Sequence, residues 1–303
     1  MKKFLKNYTI LTIALISLVF IFRNNQFLKE HILLGVNLWI TKVFPSLFPM
    51  FIISDVLIYC HFPELISKLI GKPFKKIFKT SKLSAFVFIT ALISGTPSNA
   101  FLLKELVLKQ KLSKEDAEKI VTFSFFNNPL FLYTMLSLIF NDLNIVLKLI
   151  LIHYSVNILV GLTFRHKITN EINQTEEKKE QIPFTTYLPK SVQKSMNTLI
   201  MILGTIVFFL MIKGILVHET MNPITNSLLS GILELTQGLN TLINTNFSTT
   251  LKELFALTYM CFGGLSIHMQ VKNILSDADI SYSPFLKGRI LHAIYAIIIL
   301  LIL

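Results

Sequence analysis

Apolar runs close to the ~20 residues needed to cross a bilayer recur along this chain, at 8–22, 44–60, 144–164, 195–216 and 285–303. A chain built this way must bury its backbone polar groups within helices, because lipid offers them no partners. Hydrophobic residues make up 52% of the 303 positions and charged residues 15%, well short of the roughly one quarter of a soluble domain. The alternating strands of a membrane barrel are absent. The fold class is an all-α polytopic membrane protein. The net charge of +12 is mostly lysine spread over the loops, as membrane-flanking charge is. Nucleic acid is not an expected partner, since the charge is not gathered on one face with interleaved aromatics. Cys60 and Cys261 stand apart in apolar surroundings, and no CxxC or HExxH occurs, so neither a metal nor a cofactor is expected.

Residues 8–22 follow Lys2, Lys3 and Lys6 without a small-residue cleavage site, and are expected to form an uncleaved first helix. Pro45 and Pro49 are expected to break the start of 44–60. Residues 68–82 are amphipathic and basic, as befits a membrane interface. Ser113 with Asp116 has the form of a capping box, placing a helix start at about 114. The one long hydrophilic stretch, 166–194, divides the chain. The expected plan is an N-terminal helix within 1–30, a first repeat at 31–165, the linker at 166–194 and a second repeat at 195–303.

Four polar interruptions fall within apolar segments: Gly95, Thr96, Pro97, Ser98 and Asn99; Asn127 and Asn128 before Pro129; Glu234 and Thr236 in "ELTQG"; and Gly263, Gly264, Ser266 and Gln270 in "FGGLSIHMQ". At an offset of 168 residues, Gly95 falls on Gly263, Ser98 on Ser266, Lys104 on Lys272 and Ser113 on Ser281. Paired breaks in two halves are the sequence mark of a transporter's central site. Each break exposes a half-helix N-terminus whose free N–H groups suit a small anion. Ser98 and Ser266 are placed as N-caps or substrate ligands. The alternative reading is that the small residues serve close helix packing. Glu234 is an acid in an apolar segment, hence a candidate for binding H⁺ or Na⁺, or else a surface residue. Asn157 is either a substrate contact or interhelical glue, and His153 is expected near the interface.

The ordered set "FPSLFP", "LISGTPSNAFLLKEL", "LSKEDAEKIVTF", "NNPLF", "HYSVNILVGL", "GILELTQGL", "FGGLSIHMQV" and "PFLKGRILHA" resembles the YlbJ/SpoVV family of sporulation integral membrane proteins, built on the nucleoside-recognition or Gate domain. The resemblance implies two Gate-like inverted repeats, similar in plan to concentrative nucleoside transporters. It also implies movement of dipicolinic acid across the outer forespore membrane of a bacterial cell. At the first break the chain departs from the family pattern, with Thr96 for an aromatic residue, Asn99 for a glycine and Phe101 for a lysine.

A secondary transporter of a small organic anion, embedded in the lipid bilayer, is therefore expected. The site would comprise Gly95 to Asn99, Asn127, Asn128, Glu234, Thr236, Gly263, Gly264, Ser266 and Gln270, with H⁺ or Na⁺ coupling and room for a homo-oligomer. A nucleoside transporter and a non-transporting membrane protein are the competing readings. A hydrolase using Ser266 and His268 is disfavoured, because residues two apart on a helix face different sides; no enzyme is expected.

Overall fold

The computed structural model describes residues 22–165, 182–216 and 221–303, together with Tyr8, Leu11, Thr12, Leu15 and Val19. Most of the expected first helix and linker residues 166–181 lie outside the described residues. Those described are helical, with no strand among them. Five segments are long and apolar enough to cross a membrane: Asn25–Tyr59, Leu143–Thr163, Phe184–Leu216, Thr249–Ser276 and Ser283–Ile302. Leu33, Ile53, Leu138, Leu151, Ile200 and Leu301 are exposed on the outside, which suits contact with lipid tails.

The first span comprises α1 (Asn25–Leu38), a π-helical turn (Trp39–Val43) and α2 (Phe44–Tyr59). The prolines do not break it, contrary to expectation. Proline lacks an N–H, and the π turn just before Pro45 shifts the hydrogen-bond register, with Phe44 N–H donating to the Trp39 carbonyl. α3 (Phe62–Phe78) starts earlier than the basic stretch suggested and carries its lysines outward. α9 (Phe184–Leu216) likewise reaches into the expected linker, making 184–194 helical.

Between these lie helices too short to span. α4 (Ser84–Ser94) and α5 (Ser98–Leu108) fold back on each other. So do α10 (Pro223–Leu233) and α11 (Leu235–Ile243). Nine to eleven helical residues reach about 14–16 Å, roughly half the ~30 Å hydrocarbon core, so each hairpin arm is long enough to go only halfway through a bilayer. After the first hairpin come α6 (Lys114–Phe123), an irregular stretch at 124–128, and α7 (Pro129–Ile139). Ser113 caps α6 as expected, accepting from Asp116 N–H at 3.1 Å. After the second hairpin come α12 (Thr249–Phe262) and α13 (Gly264–Ser276), one span bent where Gly263 and Gly264 hold φ of +92° and +72°. α8 (Leu143–Thr163) and α14 (Ser283–Ile302) follow unbroken.

The order hairpin, broken helix, unbroken helix is thus met twice, and it revises the expected pairing. Gly95 lies at a hairpin tip, whereas Gly263 lies within a span. Ser84–Ser94 corresponds in this order to Pro223–Leu233, an offset of 139 rather than 168. The second hairpin closes tightly, because Gly238 sits on the backbone of Gly231. A Gly238→Ala methyl would push the arms apart, and overpacking of this kind costs about 1–3 kcal/mol. Thermal unfolding of the purified variant in detergent should show that loss.

Two apolar clusters hold these parts. One joins α2, α4, α5, α6, α9 and α13 through residues such as Phe51, Phe86, Phe101, Ile202 and Val271. The other joins α7, α8, α11, α12 and α14 through Leu136, Val156, Leu239, Met260 and Ala296.

Candidate functional site

All four interruptions border one cavity of about 410 Å³. Ser94, Thr96 and Pro97 come from the first hairpin tip, and Glu234, Leu235 and Thr236 from the second. Asn127 and Asn128 come from the first broken helix, and Ile267 and Gln270 from the second. Leu47, Ile202 and Ile206 add an apolar wall, and the exposed Lys42 and Ser46 lie at one edge. The volume suits a small organic molecule, and an apolar wall with a few polar groups is the usual design of such a site.

The backbone between α6 and α7 is irregular within a buried setting, so its polar groups need partners. Side chains supply them. Arg289 donates to the Thr122 carbonyl at 2.6 Å, and Asn157 Nδ2 donates to that of Phe125. Thr96 N–H donates to the Phe126 carbonyl at 2.7 Å, and Tyr154 OH to that of Asn127 at 3.1 Å. Asn127 N–H donates to His153 Nε2 at 3.4 Å. The Asn127 amide crosses to the other broken helix, donating to the Met260 carbonyl at 2.9 Å. Asn128 ties the same stretch to the first hairpin, donating to the Ile93 carbonyl at 2.9 Å, while its Oδ1 caps Leu130 and Phe131.

Glu234 is buried, not a surface residue, and its Oε2 accepts from Gln237 N–H at 2.7 Å, capping α11. Lys213 donates to Gln237 Oε1 at 2.9 Å, which brings a cation to the same helix end. The N-terminus of α11 is therefore occupied by the chain's own carboxylate. The starts of α5 and α13 carry no side-chain cap. Their N-caps are Pro97 and Gly263, not Ser98 and Ser266.

Of the thirteen expected site residues, the cavity gathers Thr96, Pro97, Asn127, Asn128, Glu234, Thr236 and Gln270. Gly95, Ser98, Asn99, Gly263, Gly264 and Ser266 do not line it. Gly95 shapes the tip with φ +78°, packed against the Asn128 backbone. Ser98 and Asn99 are fully buried, and the Asn99 amide faces Ser124 at 3.5 Å. Gly263 packs on Phe125, and Gly264 on the backbone at Glu234 and Leu235. Ser266 accepts from Gln270 Nε2 at 3.2 Å. His268 is engaged at both ring nitrogens, by Tyr282 OH at 2.5 Å and the Phe262 carbonyl at 2.9 Å, and so is not paired with Ser266.

His153 proves fully buried rather than interfacial, because its ring serves the Asn127 N–H. Asn157 is buried as interhelical glue between Phe125 and Arg289. The residue missed in the sequence is Arg289. It lies wholly buried in α14, its guanidinium 4.2 Å from the centre of the Phe125 ring. It donates to His292 Nδ1 at 2.6 Å and to Asn157 Oδ1 at 3.3 Å. A lone arginine in the last apolar segment was the available signal. The fold also brings together ligand atoms of His153, Cys261 and His292 within 4.8 Å, although these residues are far apart in the chain. His153 faces the Cys261 sulfur at 3.6 Å, and His292 Nε2 donates to the His153 carbonyl at 3.0 Å. With these atoms engaged and the Arg289 charge beside them, a cation is disfavoured here.

No protein-family model matches the chain, and no solved structure matches it. The sporulation integral membrane protein YlbJ of Bacillus subtilis (strain 168) is 28% identical over 308 residues, an alignment covering 89% of this chain and 76% of that protein. The chain is thus similar over most of its length to a sporulation integral membrane protein, and its several long apolar helices are those of a multi-pass membrane protein.

Proposed function

We propose that this protein is a secondary transporter of a small organic anion, acting in endospore formation at the outer forespore membrane, with dipicolinic acid as the substrate that the family resemblance implies. The observation that carries the reading is the convergence of two half-depth hairpins and two broken helices on one cavity. Irregular backbone at membrane depth is costly unless it lines a cavity or is held by protein. The two hairpin–break–helix sets are read as inverted repeats, and rocking of one against the other would give alternating access. The uncapped starts of α5 and α13 supply positive dipole ends near the cavity, and Lys42 adds a cation. Glu234 would carry the coupling H⁺ or Na⁺, with substrate bound between Thr96, Asn127, Thr236 and Gln270. The sequence holds no ATPase motif, so an ion or solute gradient is the proposed energy source.

The amide- and hydroxyl-rich lining also favours a second reading, transport of a nucleoside or similar neutral solute. Purified protein in liposomes, offered labelled dipicolinate and labelled uridine under imposed H⁺ or Na⁺ gradients, separates the two. Saturable dipicolinate uptake that uridine does not inhibit is expected. Uptake of uridine alone would favour the nucleoside reading, and uptake of neither would point to a non-transporting membrane protein.

A further inference from the structure

Three helices leave the cavity side by side, and each passes from apolar groups near the cavity to polar groups beyond it along one face. On α2 the order is Leu47, Phe51 and Asp55; on α5, which Pro97 leads into from the cavity wall, it is Phe101 and Glu105. On α9, Ile206 and Ile202 at the cavity lead to Ser195 and Ser191, at spacings that keep one helix face. Directly beyond the cavity, Phe51 and Phe101 stack with ring centres 4.4 Å apart, both inaccessible.

Past this pair lies an ionic cluster of two buried carboxylates and two half-buried lysines. Asp55 accepts from Lys109 at 2.7 Å and pairs with Lys194 at 3.3 Å, while Lys194 also pairs with Glu105. Tyr187 OH donates to the Asp55 carbonyl at 2.9 Å. Four charged groups from three helices hold the seam shut. Yet the seam is not fully satisfied. Ser54, Ser191 and Ser195 hydroxyls and Glu105 Oε1 are buried with no hydrogen-bond partner. Buried polar groups are nearly always paired, so orphans gathered along one seam mark a surface suited to contact with water or a polar solute in another conformation.

We infer that the seam between α2, α5 and α9 is the closed half of a solute path, with Phe51 and Phe101 as its barrier and the Asp55–Lys109–Lys194–Glu105 cluster as its lock. The inference rests on the transport reading, but it requires only that the seam opens. When it opens, the rings part, Lys194 releases Glu105, and the serine hydroxyls face the passage. Opening should therefore expose Ser195 to water.

The test uses the full chain in liposomes, with Cys60→Ser removing the exposed native thiol and Ser195→Cys as the reporter. A charged, membrane-impermeant thiol reagent is applied from each side and the rate of modification is measured. Two variants weaken the seam separately: Glu105→Gln with Lys194→Gln, which removes the pairs of Lys194 with Glu105 and Asp55 and leaves Asp55 on Lys109, and Phe101→Ala, which removes half of the barrier. Shifting the closed–open balance should raise modification by about tenfold in either variant, from one side of the membrane. An unchanged rate in a variant that keeps the parent's thermal stability overturns the inference. The readout needs no substrate. Increased labelling without uptake of dipicolinate or uridine would keep the lock and reject the transport reading; uptake with unchanged labelling would do the reverse.

Discussion

Replacing Arg289 with Met is expected to lower the melting temperature of the purified protein by about 10 °C, at roughly 2–4 °C per kcal/mol for a chain of this size class. The guanidinium serves the Thr122 carbonyl, the Asn157 side chain and His292 Nδ1 at once. Its removal leaves three buried acceptors without a donor, at about 1–3 kcal/mol each. The opposing gain, release of a desolvated charge with no carboxylate against it, reduces but does not cancel that loss. Three orphaned acceptors less that gain leave a net cost of about 3–5 kcal/mol. Arg289→Lys should recover less than half, because a single ammonium cannot reproduce the planar fork that reaches all three acceptors. Melting followed by size-exclusion chromatography checks both variants. Full stability of the Met variant would show that the break between α6 and α7 is held by other contacts.

The second large effect concerns Glu234 and is one of activity rather than stability. Glu234→Gln keeps an oxygen for the Gln237 N–H and so preserves the cap on α11. It removes the one carboxylate that lines the cavity among the described residues. If Glu234 carries the coupling ion, gradient-driven uptake should fall by about tenfold or more, since a buried charged contact is worth at least ~1.4 kcal/mol. The melting temperature should stay close to that of the parent. Glu234→Ala removes the cap as well, and should add about 1 kcal/mol of destabilisation. Gradient-driven uptake that survives in the Gln variant would remove Glu234 from the coupling role and leave it a structural cap.

The two residues differ in how visible they were beforehand. Glu234 stood out because an acid in an apolar run is costly without a purpose. Arg289 broke the same rule, but it lies next to Lys287 near the start of a helix, where cations ordinarily flank a membrane. Only the packing of α14 against α6 and α8 shows it wholly enclosed. Asn127 and Asn128 were legible as a break because an asparagine followed by a proline is the pattern of a capped helix start. Their division of labour was not, since Asn127 reaches Met260 and Asn128 reaches Ile93, far away in the chain.

Legible from the residues alone were the all-helical membrane class, the long apolar segments at 44–60, 144–164, 195–216 and 285–303, and the positions of the interruptions. Those properties depend on residues adjacent in the chain: hydropathy over a span, a proline without a donor, a serine placed to cap. Tertiary structure alone decided which interruptions reverse the chain and which merely bend it. The Gly95–Pro97 tip turns back because α4 and α5 pack on each other, and Gly263 does not because α12 and α13 each find other helices. It likewise decided that Ser98 and Ser266 lie behind the cavity while Thr96 and Thr236 face it. Which side of a short helix meets a cavity depends on the helices that cover its other sides, and local spacing carries no record of them.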